Sequence, residues 1–260
     1  FLFQVWDAVS GEELHSFQHP HIVKSVHFST DSHRLATGSN DKNIRLYDLN
    51  KPDAEPIVYR GHSAGIKHVQ FFKNNTRLIS CAEDKTLRLW DLSASAPGEV
   101  HKLEFGAVPN SLEISRDGST ITVTHGNSVS FLDATTLELI KEHQVPTQVH
   151  SASLLLNSDR SIFVCGGEDL KMYKFDYSTG AEIESFKGHF GPIHCVQFSP
   201  DGELYASGSE DGTLRLWQTN VGKTYGLWKC IEGGLNNSLT GLDTSGSAPH
   251  LNNVHEVIAN

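Results

Sequence analysis

The 260-residue chain carries 31 acidic against 21 basic side chains, a formal charge of −10 with its 15 histidines neutral. That balance argues against a general binder of phosphate backbones, which needs clustered Lys and Arg, and leaves room only for a local basic patch. Four cysteines, Cys81, Cys165, Cys195 and Cys230, form no C-x-x-C pair, which points to reduced, buried thiols of an intracellular protein rather than a disulfide framework.

Taken from its start, the chain repeats itself. Residues 1–6 and 14–17 predict two short strands. From His19, apolar residues follow at Val26 and Phe28, then at Leu35; His62 leads in the same way to Val69, Phe71 and Leu78, and His189 to Val196, Phe198 and Tyr205. Two weaker units keep the count, Phe105 leading to Leu112, Ile114 and Ile121, and Thr147 to Leu154, Leu156 and Phe163. Period-two alternation broken by turn sequences such as Ser199-Pro200-Asp201-Gly202 and Asn157-Ser158-Asp159-Arg160 predicts antiparallel strands and almost no helix.

Each unit closes on a large side chain, at Trp6, Tyr47, Trp90, Leu132, Phe175 and Trp217, spaced 41, 43, 42, 43 and 42 residues apart. This period, with Gly-His opening and Trp-Asp closing, is that of four-stranded propeller blades. The expected layout is a half blade at 1–17, blades at about 19–60, 62–104, 105–143, 147–187 and 189–231 with 226–231 as the last outer strand, and a disordered tail at 232–260. About five and a half blades do not close a ring, so the expectation is an incomplete ring, a fragment of a longer protein, with unpaired edges prone to aggregation. The first residue is Phe1 and the one methionine is Met172, in keeping with a fragment.

Twenty-two residues separate each lead His from the Asp of the next tight turn: His19 and Asp41, His62 and Asp84, His189 and Asp211. A hydroxyl stands four residues before each Asp (Thr37, Ser80, Ser207), and an aromatic six after it (Tyr47, Trp90, Trp217). Such a chain of donors and acceptors suits a buried network bracing each blade. A hydrolase triad is the competing reading. It is disfavoured because a catalytic set occurs once, this one occurs in three units, and no Gly-x-Ser-x-Gly elbow is present. In the units at 105–133 and 147–176, Phe105 and Thr147 replace the lead His and Val123 and Cys165 the hydroxyl, so apolar packing is expected there, whether by drift or for a partner.

Residues just before the turn Asp reach one rim of the disc: Asn40, Glu83, Glu168 and Glu210. With Lys42 and Lys85 beyond the Asp, they suit a partly basic protein partner or are ordinary solvated turn charges. Phe190 and Pro192 either stand exposed on that rim as an anchor or pack down on a neighbouring loop. No H-E-x-x-H, Gly-rich phosphate loop or His-Arg-Asp sequence occurs, so no metal, cofactor, small-molecule substrate or catalytic residue is expected. No apolar run approaches the ~18 residues of a membrane span, and no signal peptide is visible.

The segments Val5-Trp6-Asp7-Ala8-Val9-Ser10-Gly11-Glu12-Glu13-Leu14 and Gly167-Glu168-Asp169-Leu170-Lys171-Met172-Tyr173-Lys174, with residues 47–56 and 186–230, resemble the serine-threonine kinase receptor-associated family of WD-repeat proteins. The segment Gly222-Lys223-Thr224-Tyr225-Gly226-Leu227-Trp228-Lys229 is absent from ordinary WD repeats. The resemblance covers about residues 1–231 and implies an all-β, seven-bladed WD-repeat β-propeller whose first blade and part of the second are missing here. It further implies a scaffold in the cytoplasm and nucleus. Implied partners are the survival-of-motor-neuron (SMN) complex with its Gemin proteins, which serves spliceosomal snRNP assembly, and Unr, TGF-β receptor and Smad proteins, with RNA association indirect. The acidic tail of the family does not follow Ile231. The competing assignments are the related propeller subunit of translation initiation factor three and another generic WD-repeat adaptor; the segment at 222–229 favours the first family over the initiation-factor subunit.

Overall fold

The computed structural model describes residues 1–93, 98–156 and 161–220, with the backbone of 257–258. The turn at 157–160, Cys230, the segment at 222–229 and the strand expected at 226–231 lie outside the described residues, as does most of the tail. Every regular element described is a β-strand.

Strands β1 (Leu2–Trp6) and β2 (Glu13–Gln18) form a two-stranded antiparallel sheet. Five four-stranded sheets follow, each running in chain order from an inner to an outer strand. The first full sheet holds β3 (Val23–Phe28), β4 (Arg34–Ser39), β5 (Ile44–Asp48) and β6 (Ile57–Tyr59); the second β7 (Ile66–Phe72), β8 (Arg77–Ala82), β9 (Thr86–Asp91) and β10 (Gly98–Glu104). The third holds β11 (Pro109–Ile114), β12 (Thr120–His125), β13 (Ser128–Asp133) and β14 (Leu139–Gln144); the fourth β15 (Val149–Leu155), β16 (Ile162–Gly167), β17 (Lys171–Asp176) and β18 (Glu182–Lys187). In the fifth, β19 (Ile193–Phe198), β20 (Leu204–Ser209) and β21 (Thr213–Gln218) are joined at the outer edge by β22 (Val257–Ile258). Two β-branched residues of the expected disordered tail thus pair with an open strand edge.

Each seam between neighbouring sheets has its own core. Ile66, Val69, Phe71, Leu78 and Trp90 of the second full sheet pack on Ala36, Ile44 and Leu46 of the first. The fifth packs Ile193, Val196 and Tyr205 on Ile162, Val164 and Met172 of the fourth. The half sheet closes Phe3, Val5 and Phe17 over Leu35 and Tyr47. Middle strands sandwiched on both faces are buried throughout, as in β12 and β16, whereas Leu214 and Leu216 on β21 and Leu2 and Trp6 on β1 remain more than half exposed. The ring is open, as expected, and apolar side chains line both of its flanks.

The inner strands β3, β7, β11, β15 and β19 lie side by side, and each slips register at one equivalent point, leaving Lys24, Lys67, Asn110, His150 and His194 unpaired in a bulge. Beyond the bulge, side chains of one inner strand cap amides on the edge of the next. Ser25 Oγ accepts from Val69 N (3.1 Å) and His27 Nδ1 from Phe71 N (3.3 Å). Glu113 Oε2 accepts from Leu154 N, Ser151 Oγ from Val196 N and Ser153 Oγ from Phe198 N, each at 3.0 Å. Close approach is needed: a Cβ on Gly38 would lie 2.6 Å from Ile66 Cγ2, and one on Gly166 2.7 Å from Ile193 Cγ2. Cys195 holds the place of Ser25 and Ser151 in the fifth sheet, where no described sheet follows. It is therefore exposed, against the expectation of a buried thiol; Cys81 and Cys165 are buried and free.

One register differs from the count. Ala152 pairs with Cys165 as Val26 does with Thr37, so Ala152 and Leu154, not Leu154 and Leu156, continue the ladder. Val145, whose amide donates to Asn127 O (2.8 Å) as His19 N does to Phe1 O (2.7 Å), holds the lead position in place of Thr147. The paired residues Leu154 and Phe163 are two positions further apart in sequence than Phe28 and Leu35, and the shorter segment before β15 hides the insertion.

Replacing Ser151 by Ala strands the Val196 amide at a buried edge. A loss of about 1–3 kcal/mol is expected, read as a lower urea midpoint with unchanged slope.

Candidate interaction rim

The loops that carry the lead histidines and the turn aspartates share one rim. In the second full sheet the expected chain of contacts is complete. Trp90 Nε1 donates to Ser80 Oγ (2.8 Å), which meets His62 Nε2 (2.8 Å), and His62 Nδ1 meets Asp84 Oδ2 (2.9 Å). A single proton order, indole to hydroxyl to imidazole and imidazole to carboxylate, satisfies every member. The fifth sheet repeats it: Trp217 to Ser207 at 2.8 Å, Ser207 to His189 at 2.7 Å, His189 to Asp211 at 3.1 Å. Thr86 and Thr213 add hydroxyl bonds to their aspartates at 2.6 and 2.7 Å.

The first full sheet departs from this pattern. His19 Nε2 lies 3.4 Å from Thr37 Oγ1, but its Nδ1 faces the His21 carbonyl (3.0 Å). Asp41 accepts from Arg45 (2.6 Å) instead. Two residues explain the difference. Asn43 stands where Thr86 and Thr213 bridge imidazole to carboxylate, and Arg45, with no counterpart of Glu99 among the described residues, places Nη1 against His19 Nε2 (3.2 Å) where Arg88 turns its Nη1 to Glu99. Tyr47 packs its ring on Phe3 and Phe17, and among the described residues no bond joins it to Thr37.

The third and fourth sheets are not wholly apolar. His125 closes a two-residue turn with Ser128, one residue shorter than the other hairpins, so no turn Asp exists. His125 Nε2 meets Ser130 Oγ (2.8 Å), which donates to Glu142 (3.0 Å). In the fourth, the Tyr173 hydroxyl donates to Asp169 (2.5 Å). The alternating His125, Ser130 and Glu142 were visible in the sequence, but only the shortened hairpin brings them together.

Burial pushes the Asp84 carboxyl up, and bonds from Thr86, the Ser63 amide and His62 more than reverse this, holding it at about 2. Asp211 is held well below the usual range against the same burial by the Phe190 amide, Thr213 and His189. Burial lowers His62 despite Asp84 beside it, so the ring is neutral at pH 7. Ser80 and Ser207 are 0 and 1% exposed. Each oxygen is already engaged by an indole and an imidazole, a geometry for bracing rather than for attack on a substrate.

The rim residues fall into two groups. The amides of Asn40, Glu83, Glu168 and Glu210 each bond back to the loop before the inner strand, at 2.9–3.1 Å. The three carboxylates meet a lysine and two histidines of the bulges: Glu83 with Lys24 (2.7 Å), Glu168 with His150 (2.7 Å) and Glu210 with His194 (3.5 Å). Asn40 Oδ1 is buried without a partner among the described residues. Pro192 is half-buried, its carbonyl accepting from Glu210 N (3.0 Å), while Phe190 is 84% exposed.

Between the inner strands, His27, His68, Gln70, Glu113 and Gln197 border a cavity of about 320 Å³. Glu113 accepts from Ser153 (2.8 Å), Leu154 N (3.0 Å) and Gln197 (2.5 Å), tying three successive sheets to one carboxylate. Burial, partly offset by these bonds, raises it to about 7. Among the described residues no three His, Cys, Asp or Glu are grouped to hold a metal ion, and no helix is long and apolar enough to cross a membrane.

A model of the WD domain, G-beta repeat, matches residues 180–218, and one of the Nucleolar protein 10-like N-terminal domain matches 2–130. The serine-threonine kinase receptor-associated protein of Dictyostelium discoideum is 39% identical over 218 residues, 84% of this chain and 73% of that protein. The chain belongs to that family. The Gallus gallus member is 55% identical over 231 residues, 89% of this chain, which spans 65% of that relative's length. Human eukaryotic translation initiation factor 3 subunit I is 35% identical over 120 residues, 41% of this chain and 37% of that protein. Like other WD-repeat proteins, the family is typically made of non-catalytic scaffolds.

Two outcomes are expected. Asp211→Ala leaves two amides unpaired and His189 Nδ1 with the Thr213 hydroxyl alone and costs about 1–3 kcal/mol, more than Asp41→Ala, since Asp41 bonds neither to His19 nor to its loop; thermal melts compare them. Glu113 sits above its ordinary 4.5 in the fold, so its share of stability is full below pH 4.5 and declines as pH rises to about 7. Glu113→Gln is uncharged throughout. Buried histidines such as His27, His62 and His68, lowered by burial, act in the opposite sense, so the test is the difference in urea stability between variant and wild type, which should move in the variant's favour across that window.

Proposed function

We propose that the chain is a non-catalytic WD-repeat scaffold on which protein complexes assemble. Its main role is as a subunit of the SMN complex with Gemin proteins in spliceosomal snRNP assembly, in the cytoplasm and also the nucleus. A further role is restraint of TGF-β signalling through receptor and Smad contacts, with Unr as an additional partner and RNA reached indirectly. The observation that carries this reading is the 55% identity to the Gallus gallus protein over 231 residues, whose name records association with a serine-threonine kinase receptor. Engagement of both candidate nucleophiles, Ser80 and Ser207, by tryptophan indoles supports the absence of catalysis. The alternative, a propeller subunit of translation initiation factor three, draws support from 35% identity over a shorter stretch.

Affinity purification of the tagged chain from cell extract, with identification of bound proteins, tests the assignment. Recovery of SMN and Gemin proteins is expected, and recovery of initiation-factor subunits in their place would overturn it. Ser80→Ala and Ser207→Ala should each lower the melting temperature; abolition of a measured turnover by either, with the melt unchanged, would restore the hydrolase reading.

A further inference from the structure

We propose that the rim at the passage from the fourth full sheet to the fifth binds an acidic segment of a partner protein, centred on one apolar side chain. The proposal rests on the scaffold reading and names the chemistry of one of its contacts. A cavity of about 400 Å³ lies here, bordered by Asp169, Leu170, Lys171, Lys187, Gly188, His189 and Phe190.

Its apolar jaws are held in place. Phe190 is 84% exposed, yet its amide donates to Asp211 Oδ2 (2.8 Å), and the next residue, Gly191, has no room for a Cβ, which would lie 2.8 Å from Asp211 N. The buried network therefore fixes the backbone that presents this ring, so little ordering remains to be done on binding. Leu170 faces the same cavity from the turn after β16. It is 37% exposed and sits at φ 66°, in the left-handed region where equivalent turns place Lys42, Lys85 and Gly212. A bulky apolar residue at such a φ is unfavourable by itself, and its exposed surface is what a partner would remove from water.

The charge of the groove is unbalanced. Lys171 and Lys187 are direct register partners on β17 and β18, and like charges facing each other across a pair of strands repel. The equivalent pair in the second full sheet is Thr86 with Glu104, and in the third Ser128 with Gln144. No carboxylate among the described residues pairs with either lysine; Lys171 lies over the Tyr173 ring, and Asp169 is taken by the Tyr173 hydroxyl. Of the rim acids, Glu83 faces Lys24, Glu168 faces His150 and Glu210 faces His194, whereas the two lysines beside the exposed ring face each other. A carboxylate between the two lysines relieves their repulsion, and an adjacent apolar side chain fits between Leu170 and Phe190.

The test is selection of a random heptapeptide display library on the whole chain, followed by anisotropy titration of a fluorescein-labelled enriched peptide. Enrichment of Asp or Glu around one apolar residue is expected, with binding that weakens as salt rises. Lys187→Glu and Phe190→Ala should each weaken it about tenfold or more. Lys171→Thr, which installs the residue of the second and fifth sheets, should do so with the wild-type melt retained. Lys51→Glu, which alters net charge equally in the turn after β5, should leave binding unchanged. Enrichment of basic or charge-free peptides, or equal affinity for Lys187→Glu, Phe190→Ala and wild type, would overturn the proposal. Failure to enrich any peptide while Gemin proteins still co-purify would likewise end it, with the scaffold reading intact.

Discussion

The arrangement of sheets depends on what happens to the backbone amides along the open edge of each inner strand. A strand facing an axial channel has no fifth strand to pair with, and an unmet edge in a half-buried setting is both costly and adhesive. Here the sheet before supplies short acceptors at fixed places, Ser25 and His27 to one edge, Glu113 to a second, Ser151 and Ser153 to a third. Because every cap comes from a neighbouring sheet, sheets are coupled in sequence, and both register and spacing follow. The glycines opposite the caps, Gly38 and Gly166, are what permit the approach.

On that framework the histidine clamps do a different task. They tie the loop between sheets to the middle strands of one sheet, so their reach is intramural. Where the clamp is complete, the residue after the lead histidine is fixed by the turn carboxylate, Ser63 by Asp84 and Phe190 by Asp211. The same polar cluster that stiffens the sheet thereby determines what the rim presents. Variation at that one position, from a hydroxyl to a phenyl ring, converts a solvated loop into an apolar protrusion at no cost to the clamp.

Much of this was legible in the residues. The strands were, because alternation and turn chemistry agree in every unit, and so were the clamps of the second and fifth full sheets, since a constant offset of His, Ser, Asp and Trp leaves one geometry. The first clamp was not, because its outcome turns on Asn43 and on the absence of a counterpart to Glu99, residues outside the motif. The fourth unit misled the count because an insertion after β15 is cancelled by a deletion before it, which conserves length while moving Thr147 off the lead position. The caps were hidden for another reason: donor and acceptor lie 41–45 residues apart. Serines at one position of the first and fourth units, Ser25 and Ser151, were the signal that marked two of them.

The two-residue hairpin of the third full sheet, lacking the turn aspartate and the acid before it, leaves a notch in an otherwise repetitive crown. A body with near-rotational symmetry offers a broad partner several equivalent seats, each displaced by one sheet. The notch makes the rim unequal from sheet to sheet, and among the described residues that difference follows from the length of a single turn.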